Sequence, residues 1–102
     1  MSEGLPHFSV VVPTYERPAR LAACLRSLAR LGYPRERFEV LIVDDASARP
    51  PLEAIEQFRD ALDLKLLEQT KNAGPAAARN LGARHASGEF LAFTDDDCEP
   101  ER

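Results

Sequence analysis

The sequence is short of several things. In 102 residues it has two cysteines and five glycines, and its 13 Lys and Arg are outnumbered by 17 Asp and Glu. Cys24 and Cys98 match no metal or redox spacing. Cys24 falls on the apolar face of an expected helix and reads as a small buried hydrophobe, and Cys98 reads as a free thiol. His7 and His85 stand alone, without partner spacing, and read as structural or solvent-exposed. The glycines form neither G-x-G-x-x-G nor a P-loop, which counts against a dinucleotide oxidoreductase. A net charge of −4 argues against a general nucleic-acid binder, which presents a basic face. No apolar run approaches the ~20 residues of a membrane span. No basic segment precedes the first apolar run, as a secretory signal requires. No internal repeat or low-complexity segment is visible.

What is present fits one small α/β domain. HFSVVVP (7–13) reads as a buried strand, ended by Pro13. A helix is expected from Pro18 to Leu31, with Leu21, Cys24, Leu25 and Leu28 on one face. FEVLIVDD (38–45) is a second buried strand, and 50–62 a helix carrying Leu52, Ile55, Phe58 and Leu62 on one side. LKLLEQ (64–69) is a shorter strand, 72–87 an alanine-rich helix, and GEFLAFTDDD (88–97) a fourth, buried strand. Alternating β-α-β-α-β-α-β implies a mainly parallel sheet with helices on both faces. Right-handed crossovers favour a Rossmann-like strand order 3-2-1-4. The switch point then lies between the first and fourth strands, where open α/β sheets bind ligands.

The polar clusters gather at that edge. Pro13, Thr14, Tyr15, Glu16 and Arg17 follow strand 1, Asp44 and Asp45 end strand 2, Asn72 to Arg79 follow strand 3, and Asp95, Asp96 and Asp97 end strand 4. Alternation along a strand sends Asp95 and Asp97 one way and Asp96 the other. Two convergent carboxylates form a hard oxygen site for Mg²⁺ or Mn²⁺, which would also let an acidic crevice accept phosphates. Without a glycine cradle, phosphate must be held by metal, by Arg17 or Arg79, or by backbone groups.

These residues together resemble the donor-binding half of a family 2 glycosyltransferase, an inverting enzyme of GT-A fold. SVVVPTYERPARLAACLRSL, FEVLIVDDAS, NAGPAAARNLGARHASGEFLAF and TDDD stand in the family's order and cover residues 8 to 98. The resemblance implies a nucleotide-diphosphosugar donor and a divalent cation, Mn²⁺ or Mg²⁺. It assigns Pro13, Thr14, Tyr15 and Glu16 to the nucleotide, Asp44 to the base with Asp45 beside it, and Arg79 to the base and pyrophosphate. Asn72 and Gly74 shape that loop. Asp95 and Asp97 would hold ribose and metal, with Asp96 competing for a role. Cys98 stands where many relatives carry a fourth acid, so the register of the metal ligand is open by one position.

The resemblance further implies transfer of a sugar to an acceptor hydroxyl with inversion. The catalytic base is expected beyond Arg102, making residues 1–102 one donor half-domain, a fragment inactive by itself. A cytoplasmic location is expected, with the full-length protein at the inner membrane surface. The acceptor is not identified. The sheet edge beside strand 4 is expected to be exposed and to pair with another copy of the chain. A phosphoacceptor receiver domain would leave PTYER unexplained, and a sugar nucleotidyltransferase would open with a basic glycine-rich loop. A non-catalytic nucleotide-binding or interaction module is the remaining alternative.

Overall fold

The computed structural model describes residues 6–94. Asp95, Asp96, Asp97 and Cys98 lie outside the described residues. The order is β1 (Phe8–Thr14), α1 (Pro18–Ala29), a 3₁₀ turn (Arg35–Arg37), β2 (Phe38–Asp44), α2 (Leu52–Gln57), β3 (Leu64–Glu68), α3 (Pro75–His85) and β4 (Phe90–Phe93). The sheet is four-stranded with order β3-β2-β1-β4, and every pairing is parallel. The expected α/β architecture and 3-2-1-4 order are therefore observed.

Strand alternation divides the core in two. Val10 and Val12 of β1 and Val40 and Ile42 of β2 pack with Leu21, Cys24, Leu25 and Leu28 of α1 and Ile55 of α2. The intervening Val11, Leu41 and Val43 pack with Ala78 of α3. Both faces of β1 and β2 are thus covered, which is why these strands read as continuous apolar runs. On the α3 side the fit depends on a missing side chain. A Cβ on Gly82 would lie 2.4 Å from Val11 Cγ1, so only glycine lets α3 settle this close to β1.

Two expectations need correction. The helix expected over 50–62 covers only Leu52–Gln57. The next residues turn instead, with Leu62 N–H donating to the Phe58 carbonyl at 3.0 Å. Arg35 Nη2 reaches the carbonyls of Arg59 and Leu62 at 3.3 and 3.4 Å. Tertiary contacts replace helical ones, while Phe58 and Leu62 still reach the core.

The second correction concerns β4, expected to be buried. All four of its residues are exposed, with Phe90 at 62% and Phe93 at 48%. Among the described residues β4 lies at the end of the sheet, hydrogen-bonded to β1 alone. Its apolar composition is a strand's composition, but neither face of it is covered here. Among the described residues no helix is long and apolar enough to cross a membrane.

Candidate functional site

The carboxyl ends of β1, β2 and β3 are tied into one wall. Asp45 N–H donates to the Thr14 carbonyl at 2.9 Å, and Gln69 N–H donates to the Asp44 carbonyl at 2.9 Å. Beyond the strands, side chains continue the work of the ladder.

Asp44 and Asp45 are adjacent in sequence but face opposite sides of the sheet, as alternation requires. Asp44 is 2% exposed. Its Oδ2 accepts from Ser47 N–H at 2.9 Å and its Oδ1 from Ser47 Oγ at 2.7 Å. This capped turn carries the chain through Ala46 at φ 64°. Each carboxylate oxygen has two lone pairs, so Ser47 does not exhaust Asp44 as an acceptor.

Asp45 is occupied more fully. Its Oδ1 accepts from Gln69 Nε2 at 2.7 Å and Ala73 N–H at 2.8 Å, and its Oδ2 from Gly74 N–H at 2.9 Å. Asn72 Nδ2 donates to the Asp45 carbonyl at 3.2 Å. The carboxylate therefore shapes the turn that enters α3. Gly74 suits that turn because its φ is 92°, which L side chains rarely adopt. Pro75 follows as the first residue of the helix, where its missing N–H costs nothing.

Glu16 joins β1's loop to β2's. Its N–H donates to Ser47 Oγ at 2.8 Å, and its Oε2 accepts from Ala48 N–H at 2.8 Å. It does so at φ 54°, a left-handed conformation uncommon for a residue other than glycine. Beside it Tyr15 is 45% exposed and Arg17 is exposed. Pro13 is half-buried and Thr14 buried at the end of β1. Asn72 is exposed, while Gly74 and Arg79 are half-buried on the α3 side.

The structure thus brings the loops after β1, β2 and β3 together at one edge. That edge lies beside the junction of β1 and β4, where the order reverses. Tyr15 and Arg17 offer an aromatic face and a cation to solvent. Asp44 offers a buried acceptor. Among the described residues no group of three or more His, Cys, Asp and Glu could hold a metal ion. The metal expectation falls on Asp95 to Asp97, which lie outside the described residues.

Sequence reasoning missed Ser47 and Glu39. Ser47 stands three residues after Asp44, the spacing at which an Asp side chain caps a turn by accepting the i+3 N–H. Glu39 is an acid inside an apolar strand, and it is 1% exposed. Burial pushes its carboxyl up, but hydrogen bonds from Lys65, Ser9 and Ser87 outweigh this and bring it down to about 2. The same contact raises the Lys65 ammonium above its ordinary value.

Comparison with known proteins agrees with this geometry. The profile of the family described as glycosyl transferase family 2 matches residues 9–102. The chain is 41% identical over 91 residues to the poly(ribitol-phosphate) β-N-acetylglucosaminyltransferase TarS of Staphylococcus aureus, covering 88% of this chain and 16% of that protein. It is 38% identical over 103 residues to glycosyltransferase AglE of Haloferax volcanii, covering 100% and 34%. A crystal structure of S. aureus TarS in complex with UDP-GlcNAc superposes with a TM-score of 0.84 at 40% identity, over 89% of this chain and 26% of that one. A Pyrobaculum calidifontis mannosyltransferase in complex with GDP-Man and Mn²⁺ gives 0.81 at 36%, over 90% and 28%. The chain spans 16% and 34% of the length of the two curated relatives. The parallel sheet, its 3-2-1-4 order and a family match from residue 9 onward lead to one assignment: the chain belongs to glycosyl transferase family 2.

Proposed function

We propose that residues 1–102 form the donor-binding half-domain of a glycosyltransferase that uses a nucleoside-diphosphate sugar. The observation that carries this reading is the hydrogen-bonded wall at the carboxyl ends of β1, β2 and β3, beside the β1–β4 switch point. Solved structures of relatives that superpose on the chain are complexes with UDP-GlcNAc and with GDP-Man, which supports the ligand class.

Within this reading the residues take two roles. Tyr15 presents a ring to the base, and Asp44 accepts from a base N–H through its remaining lone pairs. Arg17 and Arg79 supply positive charge toward the diphosphate. Glu16, Asp45, Asn72 and Gly74 act one step back, by fixing the loops that carry those groups. Pro13 and Thr14 end β1 at the height where the loops begin. A divalent cation belongs to the same reading, held by Asp95 and Asp97 or by Asp96, where it would offset the charge of the pyrophosphate. The reaction is inverting transfer to an acceptor hydroxyl.

Calorimetric titration of UDP and GDP in the presence of Mn²⁺ tests this. One of the two should bind, and Asp44→Ala should weaken it at least tenfold. No binding of either nucleotide, or an unchanged Kd in the variant, overturns the reading.

A further inference from the structure

β4 poses a problem of register. In a sheet with a buried face, register is set by which side chains must go inside, because a one-residue slip turns the strand over. β4 has no such constraint, since all four of its residues are exposed. Its ladder with β1 is also short, running only from Phe8↔Phe90 to Val11↔Phe93. Something outside the strand must fix it.

The turn between α3 and β4 is held from below by Glu39. This carboxylate lies on the α3 side of β2, five positions before Asp44 and so about 16 Å away along the strand. Its Oε2 accepts from Ser9 Oγ at 2.6 Å, Ser87 N–H at 2.7 Å and Ser87 Oγ at 3.0 Å. Its Oε1 accepts from Lys65 Nζ at 2.5 Å. Ser9 Oγ in turn accepts from Gly88 N–H at 2.9 Å. One buried acid therefore links β1, β2, β3 and the two residues that lead into β4.

A second observation points to the same junction. A Cβ on Gly88 would lie 2.6 Å from the Phe8 carbonyl carbon and Cα, and 2.7 Å from Ser9 N. No backbone strain calls for glycine here, so it is the close approach to β1 that requires it. Glu89 then begins the pairing, donating its N–H to the His7 carbonyl at 2.7 Å.

We infer that Glu39, through Ser9, Ser87 and Gly88, is a positioning residue that sets the register of β4 on β1. It thereby fixes where the chain leaves β4, at Thr94, whose N–H donates to the Val11 carbonyl at 3.1 Å. The inference rests on the donor-site reading, in which the residues after Thr94 meet the diphosphate. Glu39 touches no ligand itself. A slip of one residue would shift the residues after Thr94 by about 3.3 Å and exchange their faces.

The test compares uridine with UDP, in the full chain with Mn²⁺. Uridine engages the loops after β1 and β2, whereas the extra affinity of UDP depends on the end of β4. In Glu39→Gln, UDP affinity should fall at least tenfold while uridine affinity stays unchanged. Gly88→Ala should give the same split without altering any charge. Ser87→Ala replaces Glu39→Gln if that variant does not fold. Wild-type UDP affinity in the folded variants overturns the inference, and so does an equal loss for uridine and UDP. If wild-type protein binds UDP no better than uridine, the donor-site reading fails, and hydrogen exchange decides the inference separately. The amides of Glu89 and Thr94, which donate to the His7 and Val11 carbonyls, should exchange at least tenfold faster in Glu39→Gln. The Asp45 amide, bonded to Thr14, should not change. Unchanged exchange at Glu89 and Thr94 overturns the inference.

Discussion

β2 and β4 look alike in sequence and differ most in structure. Both are apolar, both run parallel to a neighbour in the same sheet, and both lead into consecutive acids. All seven residues of β2 are buried, and all four of β4 are exposed. β2 has a strand on each side, α1 and α2 over one face and α3 over the other. β4 has β1 on one side, and its side chains are covered on neither face. An apolar run thus shows that a segment suits a strand, while burial depends on what lies above and below it. The two strands are also fixed differently: β2 by its side chains and β4 by the turn that precedes it.

Substitutions can break this contrast, and the largest effect belongs to β2. Ile42→Ala removes a fully buried side chain between β1, α1 and α2, and should cost about 4 kcal/mol in urea unfolding. Leu91→Ala in β4 should cost less than about 1 kcal/mol. Comparable losses at the two positions would show that β4 is buried in solution.

Glu39→Ala comes next, at about 3 kcal/mol near neutral pH. Its pH dependence carries a sign. The folded carboxyl lies at about 2, below the ordinary 4.5. Its contribution is therefore complete above pH 4.5 and is lost as pH falls toward 2. Denaturation curves of wild type and variant should draw together as pH falls from about 4.5 toward 2; a gap that stays constant would remove Glu39 from the ion pair.

Asp45→Ala should cost about 1–2 kcal/mol, because the N–H groups of Ala73 and Gly74 lose their acceptor. Unfolding midpoints measure this, and no change would show that water replaces the carboxylate. The smallest effect is expected from Phe93→Ser, within about 0.5 kcal/mol. It should also reduce self-association in sedimentation if the exposed β4 edge pairs with another copy.

Much of this arrangement was legible in the sequence. The alternation of strands and helices, the 3-2-1-4 order and the gathering of PTYER, Asp44-Asp45 and Asn72–Arg79 at one edge follow from period, turn residues and handedness. What could not be read depends on distant partners. Asp44 and Asp45 look equivalent in the string, yet alternation sends one to the Ser47 turn and the other to the α3 loop. Glu39 looks like an intruder in an apolar strand until Ser9, Lys65 and Ser87 are brought to it. The shortening of α2 depends on Arg35, which lies far back in the chain. In each case the deciding group is one that local periodicity does not see.

The order β3-β2-β1-β4 has a consequence for how the chain is made. β1 is the first of the described strands to leave the ribosome, and it sits in the interior of the sheet. Its partner on one side, β2, follows soon after, but its partner on the other, β4, is synthesised last of the described strands. Until β4 emerges, β1 therefore offers a bare parallel edge. Pairings between segments so far apart in sequence form slowly, and an unfilled strand edge in a nascent chain is open to the wrong partner. The edge can close only once β4 has emerged, so completion of this sheet waits for the last of its described strands.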